Sequence, residues 1–361
     1  MLTIGEPAPF PFGSVLIISS GHPSGNRASG RFEVLPIPPS DQQAAAIAAV
    51  EGAVGGALRR LGARGSGVLV ALSGGADSMV LSAICARIAG RLGLRVEASI
   101  VDHGLRPESG VEATLVHERA QALGVPAHVR ALGLAPGPGA EARAREARYA
   151  ALEAVRRERG LDFVLTAHTA SDQAETLLMR LGRGSALGGA AGVLERRGAV
   201  LRPMLAVTRD EVLQVVAGLG LPTVADPMNL DPAFLRVAVR RELVPALVKT
   251  LGPSAPGHLA RFAALAAEDE ALLAGLAARA FERVERDGRL DEIAVGALEP
   301  PVRRRVLVRW LEAHGLAVDG PLVLDLIAAL AQGRGATLPR DRVLTRDGPW
   351  LVIAPAPPRH Q

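Results

Sequence analysis

Cysteine is almost absent: Cys85 is the only one in 361 residues. An internal disulfide is therefore impossible, and a zinc or iron–sulfur centre built on several thiolates is excluded. Aromatic residues make up 3% of the chain, against 48% for all hydrophobic residues. A core so short of rings favours closely packed helices and layered α/β structure over an aromatic-rich sandwich. No apolar run reaches the roughly 18–20 residues that a membrane span needs. These absences point to a cytoplasmic protein without membrane association. Lysine is nearly missing too, with Lys249 alone among 41 basic residues. Arginine keeps its charge at every working pH, which explains a pI near 10.3 on a net charge of only +4. That charge permits nucleic-acid binding where arginines cluster, but does not establish it.

The length allows two domains, each able to bury a core of its own. Residues 1–44 are rich in Pro, Gly and Ser, with Glu6 and Glu33 the only acids before Asp41. They lack the basic start, apolar stretch and small-residue cleavage site of a targeting peptide, and read as a disordered extension or an over-long start. From 45 to 251 strand and helix patterns alternate. Strands are expected over 68–72, 96–101, 125–132 and 163–167, and helices over 78–91, 111–123, 141–159 and 171–181. That order predicts an α/β domain with a doubly wound parallel sheet, its ligands at the carboxyl ends of the strands. The glycine-rich run 182–198 reads as a mobile loop, and 208–218 and 234–249 as helices, the second kinked or ended by Pro245. Gly252–Gly257 is the expected linker. Beyond it, 258–356 reads as a smaller, mainly helical C-terminal domain closed by strands at 342–345 and 350–353.

The strongest chemical signal is Ser73-Gly74-Gly75-Ala76-Asp77-Ser78, set between the apolar run Val68–Leu72 and a helix. Adjacent glycines let the backbone turn tightly and bring its N–H groups against an anion. The helix N-terminus behind them adds unpaired donors and the positive end of a dipole. Ser73 and Ser78 can donate hydroxyl hydrogen bonds to phosphate oxygens. Asp77 would repel a bare phosphate, so its presence predicts a bridging Mg²⁺. This is not a Walker loop, which needs a lysine after its last glycine. A plain capped Gly-Gly turn would explain two of the residues, not six in a strand–loop–helix setting.

The six residues match the SGGxDS signature of the PP-loop ATP pyrophosphatases, and further blocks resemble the tRNA(Ile)-lysidine synthetases within that superfamily. Val101–Ser109 is close to their VDHGLRxES segment, and Glu141–Tyr149 to their E-A-x-A-R-x-x-R-Y helix. Thr166–Thr176 is similar to their TAHHxDDQxET block. Without the resemblance, Glu141, Arg145 and Arg148 would be one charged helix face and His168 a packed histidine. Arg183-Gly184-Ser185, Arg202-Pro203-Met204-Leu205, Asp226-Pro227-Met228-Asn229 and the pair Arg236 and Arg240 carry the likeness on to Leu247. The sequence departs from the family at four places: Thr169 stands for a second His, Ser171 for Asp, Ala186 for Gly and Val237 for Asn.

The resemblance implies ATP and Mg²⁺ as cofactors, and free L-lysine and a tRNA(Ile) with a CAU anticodon as partners. It implies attack of the wobble cytosine O2 on the α-phosphate, with loss of pyrophosphate, then attack of the lysine ε-amine on C2 with loss of AMP. Nucleotide binding falls to Ser73, Gly74, Gly75, Ala76, Asp77, Ser78 and His103, with Asp77 also holding the metal. Catalysis falls to Asp77, His168, Asp172 and Glu175, His168 touching adenylate or base and the two carboxylates orienting the lysine ammonium or taking its proton. Arg106, Glu141, Arg145, Arg148, Arg183, Arg202, Arg236 and Arg240 are assigned to tRNA or substrate, as is the C-terminal domain. Three alternatives stay open: a PP-loop tRNA thiolase, an amidating synthetase of the GMP or NAD type, and a non-catalytic tRNA-binding module. The lone Cys85 weighs against the first, the lack of a glutaminase-type domain against the second, and the intact loop against the third. Oligomeric state is open, a homodimer included.

Overall fold

The computed structural model describes residues 38–102, 104, 109–133, 143–224, 235–318 and 320–356, with the backbone alone at 14–15, 35–36 and 140–142. Two strands of the N-terminal extension, β1 (Ser14–Val15) and β2 (Leu35–Pro36), pair antiparallel. Helix α1 (Asp41–Arg60) follows, opened by Ser40, whose hydroxyl and whose backbone exchange hydrogen bonds with Gln43 in a capping box.

Strands and helices then alternate: β3 (Gly67–Ala71), α2 (Ala76–Leu92), β4 (Arg95–Asp102), α3 (Ser109–Ala122), β5 (Ala127–Ala131), α4 (Ala140–Glu158), β6 (Phe163–Leu165) and α5 (Ala170–Gly182). Next come α6 (Leu187–Ala190), β7 (Arg196–Arg197), β8 (Val200–Leu201) and α7 (Arg209–Leu219). The sheet runs β5-β4-β3-β6-β8-β7, parallel throughout except for β7 at its edge. Every residue of β3 is buried, which is why its sequence is an unbroken apolar run. Val68, Val70 and Leu72 join a core with α1, α2, α3 and α7, while Leu69 and Ala71 join Leu152 and Val155 of α4. One strand thus serves two layers, as its two-residue period dictates. From β3 the chain steps outward to β4 and β5, then returns to β6 on the other side. The loops after β3 and β6 therefore share the crevice where strand order reverses.

Contacts divide the chain into two units, one of Met1–Thr176 and Val193–Arg261, the other of Leu177–Gly192 and Phe262–Gln361. In the second, α10 (Ala255–Val284), which belongs to it from Phe262 on, leads to the hairpin β9 (Glu285–Arg286) and β10 (Arg289–Asp291), then α11 (Glu292–Gly296), α12 (Pro300–Ala313) and α13 (Gly320–Ala331). Strands β11 (Ala336–Leu338), β12 (Arg342–Asp347) and β13 (Trp350–Pro355) complete an antiparallel sheet in the order β11-β12-β13-β10-β9. Its core centres on Trp310, whose indole N–H donates to the Gly288 carbonyl at 2.8 Å. No described helix is long and apolar enough to cross a membrane.

Four expectations need correction. The run 182–198 is not a featureless loop: it contains α6 and β7, and the Arg180 guanidinium ties it down by donating to the Gly192 carbonyl at 2.6 Å. Pro245 neither ends nor breaks its helix. Helix α8 (Leu235–Ala238), a π-helical turn (Val239–Leu243) and α9 (Val244–Leu251) run on without a gap. The wide turn just before Pro245, closed by Val244 N–H on the Val239 carbonyl, absorbs the residue that cannot donate. The linker 252–257 shrinks, because α10 already starts at Ala255 and tolerates Pro256 in its first turn, where N–H groups have no helical partner. The C-terminal part, finally, holds five strands among its described residues where two were expected.

Candidate active site

Between β3 and α2 the chain turns through Gly74, whose φ of 82° is the left-handed region that glycine adopts without strain. A β-carbon there would lie 2.5 Å from Val116 Cγ2, so this glycine is also required by packing. Gly75 differs. It caps α2 with no side-chain bond, and a β-carbon on it would meet only Ser73 Oγ, at 3.7 Å. Among the described residues nothing else comes within 4 Å of that position, as a cradle for a ligand's oxygens requires. Ser78 holds the loop together from beneath. Its buried hydroxyl accepts from the Ser73 N–H at 3.1 Å, lies 3.1 Å from the Ser73 hydroxyl and donates to the Gly75 carbonyl at 3.0 Å. Those bonds use its full hydrogen-bonding capacity and shape the loop. The Gly74 carbonyl accepts from the Val224 N–H at 2.9 Å.

Asp77 lies in the first turn of α2 and receives a hydrogen bond from Arg209 NH1 at 2.8 Å. Burial lifts its pKa above the ordinary carboxylate value, against the pull of Arg209. Across the crevice, α5 presents Asp172 and Glu175. Arg236 spans both, Nε donating to Glu175 Oε2 at 2.9 Å and NH2 to Asp172 Oδ1 at 2.7 Å. Arg240, in the π turn, donates through Nε to Glu175 Oε1 at 2.6 Å and through NH2 to Glu175 Oε2 at 3.1 Å. Asp172 also accepts from the Thr169 N–H at 2.8 Å. Burial works against its charge, but Arg236, the Thr169 N–H and Arg240 hold its pKa below the usual carboxylate range. His168 Nδ1 lies 3.0 Å from the Thr166 hydroxyl. Burial holds its pKa at about 4, with Arg202, Arg236 and Arg145 adding to the shift and Asp172 opposing it. The imidazole is therefore neutral near pH 7.

The sequence profile of the PP-loop domain matches residues 51–247. The tRNA(Ile)-lysidine synthase of Salinispora arenicola (strain CNS-205) is 42% identical over 327 residues, 86% of this chain and 98% of that protein. Its counterpart from Salinispora tropica is 43% identical over 323 residues, 86% of this chain and 97% of that one. The chain belongs to the tRNA(Ile)-lysidine synthase family. Among solved structures, the U34-tRNA thiolase NcsA from Methanococcus maripaludis with its 4Fe-4S cluster aligns with a TM-score of 0.51 and 20% identity, over 62% of this chain and 80% of that one. That likeness is one of fold. The single thiol of this chain, Cys85, is buried inside α2 with its pKa pushed up to about 12, and cannot ligate a cluster of several thiolates.

For this tRNA(Ile)-lysidine synthase relative, the structure brings Ser73–Ser78, His168, Asp172 and Glu175 to the carboxyl ends of β3 and β6. Arg236 and Arg240, expected on tRNA phosphates, are paired here with the two carboxylates and remain partly exposed. Arg202 is 5% exposed, and its NH1 donates to the Leu194 carbonyl at 2.7 Å. Arg145 is exposed on α4, its guanidinium 5.3 Å from the Tyr149 ring centroid. Arg148 is half-buried, and that burial draws its pKa below the usual arginine value. Arg183 is exposed in the turn after α5. His103, Arg106 and Asp226–Asn229 lie outside the described residues, and Glu141 is described by its backbone alone.

Three residues of the site escaped the sequence reading. Thr169, noted only as a departure, precedes α5 and ties its first turn through Asp172, a role a histidine ring would fill less compactly. Gln173 exchanges two hydrogen bonds with the backbone of Val193, at 2.9 and 2.6 Å, anchoring the return of the glycine-rich run. Arg209 left one signal: a cation in the first turn of a helix, where acids are favoured.

Proposed function

We propose that this chain ligates free lysine to C2 of the wobble cytidine of a CAU-anticodon tRNA(Ile) in the cytoplasm, cleaving ATP to AMP and pyrophosphate. The observation that carries this reading is the Ser73–Ser78 loop, with its open Gly75, at the point where strand order reverses. The amides from Gly75 onward and the N-terminus of α2 receive the triphosphate. The half-exposed Asp77 carboxylate fits Mg²⁺, which takes one or two carboxylates and fills its remaining positions with phosphate oxygens and water. Bound there, the ion supplies charge neutralisation as pyrophosphate departs. Neutral His168 offers a hydrogen bond to base or adenylate without adding charge beside Arg236. Asp172 and Glu175 supply the negative field that orients the lysine ammonium. The low proton affinity of Asp172 and the arginine partners of both make them a steering pair, and the amine's proton leaves to another acceptor or to water.

Incubation with ATP, lysine and CAU-anticodon tRNA, followed by mass analysis of the nucleosides, tests the reading. Lysidine and AMP should form together, neither product appearing without lysine. Sulfide-dependent product would favour thiolation, and tRNA binding without pyrophosphate release would favour the non-catalytic module. Asp77→Ala should abolish ligation; a variant retaining most of the activity would overturn the metal assignment.

A further inference from the structure

Arg209 is the first residue of α7, and that helix does not need it. Thr208 caps α7, donating its backbone N–H to Glu211 Oε2 at 2.7 Å and accepting the Glu211 N–H at 3.3 Å, so the helix start is complete. A cation in the first turn opposes the helix dipole and costs α7 some stability. The side chain is half-exposed and reaches across to Asp77, in the first turn of α2. The first turns of α2 and α7 therefore meet at one place, each adding positive potential. There the Arg209 guanidinium joins them on Asp77, while Asp210 and Glu211 also stand in the first turn of α7, Glu211 engaged by the Thr208 cap. A half-exposed guanidinium and two helix N-termini beside the loop are donors suited to phosphate oxygens.

We propose that Arg209 is a pyrophosphate-binding residue: its guanidinium, here on Asp77, passes onto the terminal phosphate oxygens of a nucleotide seated on Ser73–Ser78. The inference rests on the reading of that loop as the nucleotide site and extends it to a residue outside the loop. When Asp77 turns to a divalent ion, Arg209 loses its partner, and the β- and γ-phosphates present the planar, bidentate acceptors a guanidinium prefers. Arg209 would then stabilise the leaving pyrophosphate, whose charge grows as the α–β bond breaks.

Calorimetric titration of the full chain with Mg²⁺-pyrophosphate, Mg²⁺-ATP and AMP tests this. Arg209→Ala should weaken pyrophosphate and ATP about tenfold or more, the loss of a charge-assisted hydrogen bond, and leave AMP unchanged. Arg209→Lys should recover part of the loss, and the melting temperature of both variants should stay at or above that of the parent. Unchanged pyrophosphate affinity in Arg209→Ala overturns the inference alone. Equal loss of all three ligands with a lower melting temperature also overturns it, leaving Arg209 a structural tie between α2 and α7. Failure of the parent chain to bind either pyrophosphate or ATP would remove the loop reading itself, and this inference with it.

Discussion

The two sides of the crevice are built by opposite means. The loop after β3 is shaped by hydroxyl and backbone hydrogen bonds around Ser78, and Gly75 leaves open space above them. The wall formed by α5 and the Leu235–Leu251 helix is shaped by charge, with Asp172 and Glu175 closed against Arg236 and Arg240. The first side takes a ligand by giving up one half-exposed ion pair, Asp77 with Arg209. The second must open ion pairs to do so. A pocket for ATP can be rigid and ready, whereas a pocket for an amine that has to arrive later is better kept shut by its own counter-ions.

The two glycines give the sharpest test of the open side. Gly74→Ala combines a positive φ with a 2.5 Å clash. It should cost about 2–5 kcal/mol of stability and abolish ATP binding. Gly75→Ala should keep the parent's melting temperature and lose only ATP affinity. Identical behaviour of the two in paired melting and ATP titrations would break the distinction. On the closed side, Glu175→Gln strands two guanidiniums against a buried amide. The expected loss is roughly 2–4 kcal/mol in urea unfolding, moderated because both arginines are partly exposed.

A smaller effect tests whether burial keeps His168 neutral. Its folded pKa of about 4 lies below the unfolded value of 6.5. Between those values the unfolded chain binds more protons, so stability present above pH 6.5 is lost as pH falls toward 4. The loss should reach about 2–3 kcal/mol and be missing from His168→Gln. An imidazole NMR titration with a midpoint near 6.5 would contradict the assignment. Least of all, Ser78→Ala removes the loop's internal tie and should cost about 1–2 kcal/mol, with ATP affinity falling further than stability accounts for.

Much of the open side was legible in the sequence because its chemistry is local. Six consecutive residues after an apolar run specify both the turn and its place in the sheet. The closed wall was not legible, since Arg236 meets Glu175 across 61 positions, and an i, i+4 pair names a helix face without naming what it faces. Arg202 shows the same limit: an arginine beside Pro203 looks like a surface group until the sheet places it under Leu194. The second unit's extra strands carried a clearer clue. Asp287-Gly288, with φ of 50° and 77°, is the Asp-Gly turn of a two-residue hairpin, but it was hidden at the end of a long helical pattern.

Gly74 has a consequence for anyone who would move this loop into another scaffold. Its carbonyl is held by Val224 and its missing β-carbon is measured by Val116, two positions far away in the chain. A transplanted Ser73–Ser78 would sit at the wrong depth beside an isoleucine or leucine at either place. The portable unit is a hexapeptide and two valines, inherited together or not at all.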